Sequence, residues 1–395
     1  MTEAYMTQER QMIRDVAREF TKNEVLPVAN VLDPVQGEIP MQLRNKMAEM
    51  GYFGLRISED FDGLGLGVFE YCLIAEELSR GWMSVASIIA RADSLMNVEG
   101  WSPEKRTEMT KKAARGEFLS AVSLSEPNAG SDLANISCRA VLDGDEWVIT
   151  GNKYWCTFAD GADYIKLLAR VDTPKGEPRS KGLKTFIIEK PRGELPKGCA
   201  GSEIPKIGYF GWKTFELAFD GCRIPRGNVL GGGSTEGFKS TANWLEAARV
   251  HTAARAIGLA RGAMEDAIEY SKERVQFGVP IAEFQETRFK IARMASEIEA
   301  ARQLMYHAAT EIDNLRRIDK EASMCKWFAS EMAERVTSDA LQILGGAGYT
   351  KLHAVERYWR DARLTKIFEG TSEIQLRIIS DRILGRPESR TRRAI

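Results

Sequence analysis

Between about residues 121 and 230 the chain changes its hydrophobic period, and that change constrains its fold more than any other feature. On either side, apolar residues recur every three or four positions, as amphipathic helices require. Within it, short β-rich runs follow one another: Phe118–Leu124, Glu146–Thr150, Tyr164–Val171, Lys184–Glu189 and Thr214–Phe219. Turn signals such as Asp143-Gly144-Asp145 and Asp220-Gly221 separate them. Strands this close together, with no helices between, predict a small antiparallel barrel or sandwich rather than a parallel α/β sheet. The expected class is α+β and mainly α, with an N-terminal helical domain over 1–120, a β domain over 121–232 and a C-terminal four-helix bundle over 233–395.

Composition removes several functions. The 55 Lys and Arg residues stand against 56 Asp and Glu, a net charge of −1, so nothing global favours a polyanionic partner. The basic tail Arg386, Arg390, Arg392, Arg393 reads as a solvated terminus and not as a nucleic-acid site. Six scattered cysteines fit reduced thiols, and with three histidines no metal-ligand spacing emerges, so no metal is expected. No apolar run is long enough to cross a bilayer. A first helix starts at once, with Met12, Ile13, Val16 and Phe20 as its stripe and Thr7 as its N-cap, so the chain reads as cytoplasmic or already trimmed. The run Gly63, Gly65, Gly67 follows no convincing strand and reads as the loop before the next helix, not as a phosphate loop.

Near the C-terminus, Ile367-Phe368-Glu369-Gly370-Thr371-Ser372-Glu373-Ile374-Gln375 places a carboxylate directly before glycine and two hydroxyls. Glycine there lets backbone approach a ligand closely. Alone, the stretch is equally a loop between helices. Four others accompany it: Leu124-Ser125-Glu126-Pro127-Asn128-Ala129-Gly130-Ser131-Asp132, Tyr154-Trp155-Cys156-Thr157, Arg274-Val275-Gln276-Phe277-Gly278-Val279-Pro280-Ile281, and Gln342-Ile343-Leu344-Gly345-Gly346-Ala347-Gly348-Tyr349. In this order and spacing the five resemble the motifs of the acyl-CoA dehydrogenase flavoenzymes, over almost the whole chain.

The resemblance implies FAD as cofactor. Ser125 and Ser131 with neighbouring amides would meet the pyrimidine edge of the flavin, Thr157 its N5 region, and Trp155 its face. Arg274 would pair with the pyrophosphate, and it, Phe277, Gln285, Gln342, Gly345 and Gly346 would come from a neighbouring subunit of a homotetramer. Thr371 and Glu373 would lie near the adenosine half. Read without the motifs, Trp155 is a β-domain core residue and Glu369 a structural carboxylate.

Glu369 is the implied general base for the α proton, with burial beside an apolar acyl chain expected to raise its pKa. Some branches carry the base just before the arginine that is Arg249 here; that position is Ala248, which cannot act. Glu246 is then a partner of Arg249 or a CoA contact. Ser131, Arg249 and Gly370 complete the implied thioester contacts, and an electron-transferring flavoprotein is the implied electron acceptor.

Arg91 bears on the substrate. The segment Trp82–Trp101 reads as one helix with Val85, Ile88, Ile89, Ala92, Leu95 and Met96 on a stripe. Arg91 falls about 110° from the stripe's centre, near Ser84 and Ser87. It aligns with the base of the acyl pocket in medium-chain relatives, where a guanidinium would be costly opposite a plain alkyl tail. One reading makes Arg91, with Ser87, the receptor of a distal carboxylate of glutaryl, methylsuccinyl or arylsuccinyl type; the other pairs it with a nearby acid or carbonyl. Glutaryl-type relatives carry their arginine five residues earlier, where this chain has Ala86. A plain short- or branched-chain substrate is the alternative. A same-fold oxidase would need an extra C-terminal domain, and a DNA-binding relative an added basic one.

Overall fold

The structure, a computed structural model, describes residues 5–173, 179–231 and 236–387, with side chains at 179–180 and 236–245 outside that description. Among the described residues six α-helices come first: α1 (Gln8–Phe20), α2 (Leu26–Leu32), α3 (Met41–Glu49), α4 (Val68–Gly81), α5 (Met83–Ile88) and α6 (Pro103–Ala114). Thr7 caps α1, its hydroxyl accepting from the Arg10 amide at 3.2 Å. The expected stripe is rotated, because Ala17 and Phe20 are buried while Met12 and Val16 are exposed. Ion pairs from Arg10 to Glu70 (2.7 Å) and Arg18 to Glu77 (3.0 Å) fix that rotation against α4.

The glycine run before α4 is a loop. Asp313 reaches back to its end and accepts from the Val68 and Phe69 amides at 2.7 and 3.0 Å, so the donors that could cradle a phosphate are already used. A Cβ on Gly67 would lie 2.6 Å from that carboxylate. Asp313→Ala should cost about 1–2 kcal/mol, measured as a lower urea midpoint; an unchanged midpoint would mean water replaces the cap.

The single helix expected over 82–101 does not form. α5 ends at Ile88, a 3₁₀ turn covers Ile89–Arg91, and Ala92 is extended. Tertiary anchors overrule local propensity there: Ser120 Oγ donates to the Arg91 carbonyl at 3.0 Å, and Asp93 pairs with Lys166 at 2.7 Å. Trp82 is fully buried in the helical core.

Among the described residues eight strands follow: β1 (Ser120–Ser123), β2 (Arg139–Asp143), β3 (Glu146–Thr157), β4 (Tyr164–Arg170), β5 (Leu183–Glu189), β6 (Cys199–Glu203), β7 (Thr214–Pro225) and β8 (Val229–Leu230). They form one sheet in the order β6-β7-β3-β2-β4-β5-β8, with β1 on β4. Most pairs are antiparallel, but β1 and β2 each meet β4 in parallel, so the sheet is mixed. The loop from Leu124 to Cys138 leaves the sheet between them, which lets both strands enter in the same direction as β4.

The bundle comprises α7 (Glu236–Glu273), α8 (Gln285–Asp313), α9 (Asp319–Leu344) and α10 (Val355–Thr365), with α11 (Ser372–Leu384) against α9. α7 is central, and every residue from Val250 to Ala263 is buried. A Cβ on Gly258 would stand 2.2 Å from the Glu76 carbonyl, so only glycine allows α7 to approach α4 this closely. Charges buried in the same contact are paired, Arg261 with Glu77 and Arg302 with Glu76, each at 2.9 Å. No helix of the described residues is long and apolar enough to cross a membrane. The tail residues Arg390, Arg392 and Arg393 lie outside the described residues.

Candidate active site

A cleft of about 1750 Å³ lies between the β region and the bundle. A site for one drug-sized ligand spans roughly 300–1,000 Å³, so this cleft has room for a cofactor and a thioester together.

Glu369 sits in the turn joining α10 to α11, with φ 53, and Gly370 follows with φ 89. Two consecutive left-handed residues are costly unless the second is glycine, and a Cβ on Gly370 would meet the Gln375 side chain at 2.5 Å. Thr371 caps α11, its hydroxyl accepting from the Ile374 amide at 3.4 Å. The turn is also held from α9, where the buried Lys326 donates to the Gly370 carbonyl at 2.7 Å. Burial pushes Lys326 down to about 8, against the attraction of Glu369.

The Glu369 carboxylate is not the lone acid in apolar surroundings that the sequence predicts. Its Oε1 accepts from Arg255 Nη2 at 2.8 Å, and its Oε2 accepts from the Thr252 hydroxyl. Its side chain is 27 % exposed, whereas that of Arg255 is 2 % exposed. Arg255 also donates to Ser87 Oγ at 2.8 Å and to Thr252 Oγ1 at 2.9 Å, and lies 4.7 Å from the Phe368 ring centroid. Burial alone would lower its pKa, but Glu369 outweighs that, so Arg255 stays charged. His251, stacked on Tyr71 at 4.5 Å, is pushed well below its ordinary range by burial and is neutral.

Arg91 lines the same cleft although its helix is interrupted. Its guanidinium lies 5.0 Å from the Trp212 ring, its Nε has no partner, and it makes no ion pair among the described residues. The reading that pairs Arg91 with a nearby acid is therefore not realised. Arg249 also lines the cleft, with an unpartnered Nε; Glu246 acts on it through space but forms no ion pair with it among the described residues.

On the opposite wall, Trp155 is 57 % exposed with φ 64, which corrects its reading as a core residue. The β3–β7 register slips between Lys153 and Cys156, and this bulge turns the indole into the cleft. Thr157 Oγ1 shares a hydrogen bond with Thr214 Oγ1 at 3.0 Å. The loop carrying Ser125 and Ser131, both lining the cleft, is pinned from below by Glu126. That carboxylate accepts from the Ser137 amide (2.6 Å), the Ser137 hydroxyl (2.7 Å), the Cys138 amide (2.9 Å) and Lys153 (2.9 Å). Glu126 is thus the structural acid of its motif. An exposed indole face, convergent hydroxyls and an open Gly130 suit a planar, polar-edged ring such as a flavin.

Arg274, Phe277, Gln285, Gln342, Gly345 and Gly346 are all exposed, and none lines the cleft within one chain. Glu373 is exposed beside Thr371 and does not line it either. The sequence reading missed Arg255, Thr252, Tyr209 and Lys206. A signal for Arg255 existed, since it is a cation inside an alanine-rich run, but Arg261 sits in the same run and has only a structural partner.

Residues 7–117, 121–222 and 235–384 match the N-terminal, middle and C-terminal domains of acyl-CoA dehydrogenase. The chain is 42 % identical to (2S)-methylsuccinyl-CoA dehydrogenase of Cereibacter sphaeroides, over 96 % of this chain and 70 % of that protein. It is 36 % identical to the caffeyl-CoA reductase-Etf complex subunit CarC of Acetobacterium woodii, over 96 % of this chain and 99 % of that one. A glutaryl-CoA dehydrogenase from Mycobacterium smegmatis, solved in complex with FADH2, superposes with a TM-score of 0.88 at 25 % identity, over 98 % of this chain and 97 % of that one. The chain belongs to the acyl-CoA dehydrogenase family. It is an FAD-dependent oxidoreductase that acts on acyl-CoA.

Proposed function

We propose that this enzyme dehydrogenates an acyl-CoA whose acyl group carries a distal carboxylate, with Glu369 as the base for the α proton. The observation that carries this reading is Arg91, a guanidinium lining the acyl cleft with no ion pair of its own among the described residues. An unpaired charge in such a site is costly, and a ligand carboxylate removes that cost. The methylsuccinyl- and glutaryl-CoA activities in the names of its relatives agree in chemistry.

Glu369 lines the cleft, and a thioester's Cα would meet its carboxylate there. Bound FAD supplies the hydride acceptor. Trp155 would cover one face of it, while Ser125, Ser131 and Thr157 would serve its polar edge. Thr371 and Glu373 would lie near its adenosine half. Ser87, Arg249 and Gly370 would contact the thioester. A second copy of the chain would bring Arg274, Phe277, Gln285, Gln342, Gly345 and Gly346 to the cofactor, as in a homotetramer; Phe277, 95 % exposed, has the look of a surface awaiting a neighbour. Electrons would pass to an electron-transferring flavoprotein, the partner type in the name of one relative. If the carboxylate stands γ to the thioester, decarboxylation of the product becomes open to it.

Anaerobic mixing with a panel of CoA thioesters, followed by loss of oxidised flavin absorbance, tests the reading. Dicarboxylyl thioesters should react fastest, and Arg91→Ala should reduce that preference on the order of 10²-fold while retaining FAD. Faster bleaching by butyryl- or octanoyl-CoA would point to a plain short- or branched-chain substrate.

A further inference from the structure

The lock on Glu369 goes further than a base needs. Both of its carboxylate oxygens are engaged by α7, Oε1 by Arg255 and Oε2 by Thr252. Arg255 is essentially buried, and its remaining donors go to Ser87 and Thr252, while its Nε has no acceptor. Glu369 is therefore the only carboxylate that Arg255 touches among the described residues.

The charges around this pair are lopsided. Facing it from α7 are Arg249 and the neutral His251; from α9, Lys326; from the turn after α5, Arg91; from the loop before β7, Tyr209; from α4, Tyr71. Arg56 acts on the same groups from beside the Tyr71 ring. Burial raises both tyrosines, so neither supplies a negative charge. One carboxylate thus faces several cations. A carboxylate entering here meets more positive than negative charge, and the Arg255 guanidinium carries the donors that suit one.

We propose that Arg255 is a receptor for the substrate's own carboxylate, which Glu369 occupies when no ligand is bound. A thioester bearing a carboxylate on its β-carbon displaces Glu369 from Arg255 and thereby frees the base. This rests on the carboxylated-substrate reading above and narrows it. Because Arg255 touches the base itself, a carboxylate bound there lies next to the carbons being oxidised, which describes a succinyl skeleton. Arg91, which acts on Tyr209 together with Arg255, would share the charge of that carboxylate.

The exchange trades one carboxylate for another at a buried guanidinium. An alkyl tail offers no such trade: freeing Glu369 would leave Arg255 buried and uncompensated. Discrimination then appears in the rate of flavin reduction more than in binding, because an uncharged substrate binds in front of a base still held by α7. Ser87 belongs to the same device, since its hydroxyl fixes the other arm of the guanidinium.

Two isosteric pairs test this, each replacing a terminal methyl by a carboxylate. In the wild-type holoenzyme, flavin reduction by succinyl-CoA should exceed that by butyryl-CoA. In Arg255→Gln, checked for retained FAD absorbance, that ratio should fall on the order of 10²-fold. A ratio left unchanged, with both rates lowered together, would show that Arg255 only positions the base and would overturn the proposal. A wild type with no preference for any carboxylated thioester would instead sink the functional reading beneath it.

Should Arg255→Gln fail to fold, Glu369→Gln supplies an independent arm. Fumaryl-CoA and crotonyl-CoA, which are already enoyl thioesters, are titrated into the oxidised holoenzyme and read from the flavin spectrum. Removing the competing carboxylate should tighten fumaryl-CoA relative to crotonyl-CoA by about tenfold or more compared with wild type. No relative tightening would mean that Glu369 does not occupy the substrate's place.

Discussion

Glu369→Gln should slow anaerobic flavin bleaching by the preferred thioester by about 10³-fold, within the 10² to 10⁴ that a positioned base contributes. The amide is nearly isosteric and its oxygen can still accept from Arg255, so FAD content and far-UV circular dichroism should match wild type. What it cannot do is accept the α proton. Among the described residues of α7, Ala248 has no ionisable group, Glu246 faces Arg249 and Asp319, and burial makes His251 a poor proton acceptor. Rapid-reaction absorbance under saturating thioester separates the loss from weaker binding. An undiminished rate would move the base to another residue.

Glu126→Ala should cost about 3–5 kcal/mol and with it much of the bound FAD. The reason is Lys153, which is fully buried and would keep only the Leu124 carbonyl as a partner. The amides of Ser137 and Cys138 would lose their acceptor in the same step. Those contacts fasten the Ser125–Ser131 loop to the sheet, so the hydroxyls it brings to the cleft would lose their placement. Burial by itself raises the Glu126 pKa, but the Ser137 amide and Lys153 together hold it below the ordinary carboxylate range. A depressed carboxylate gives stability that is complete above its unfolded pKa and lost as pH falls through the folded one. The variant should therefore lose stability less steeply than wild type below about pH 4.5, the ordinary value. Unfolding midpoints within 0.5 kcal/mol of wild type, a typical surface effect, would show that the ion pair is dispensable.

Much of the site was legible because its chemistry is local in sequence. Glu369, Gly370 and Thr371 are neighbours in one turn, and the turn's two left-handed residues explain why glycine follows the acid. Ser125 and Ser131 share one loop. Arg91 was found from an alignment with the acyl pocket, although the continuous helix assumed for it is broken by Ser120 and by the pairing of Asp93 with Lys166. Trp155 was placed in the cleft by motif alone, for a strand's alternation does not foretell a bulge that redirects one side chain.

The sequence by itself determined the order of helical, β and helical parts, since the switch of hydrophobic period is a property of consecutive residues. It also singled out Glu369 as the candidate base, since that residue lies in a short contiguous motif. The tertiary structure alone decided which side chains that carboxylate meets. Arg255 lies 114 residues from Glu369 and meets it only because α7 packs in the centre of the bundle. Its neighbour Arg261, of the same type on the same buried run, ends on Glu77 instead. Periodicity tells which residues turn inward, but the charge that each one finds there is set by how the helices pack.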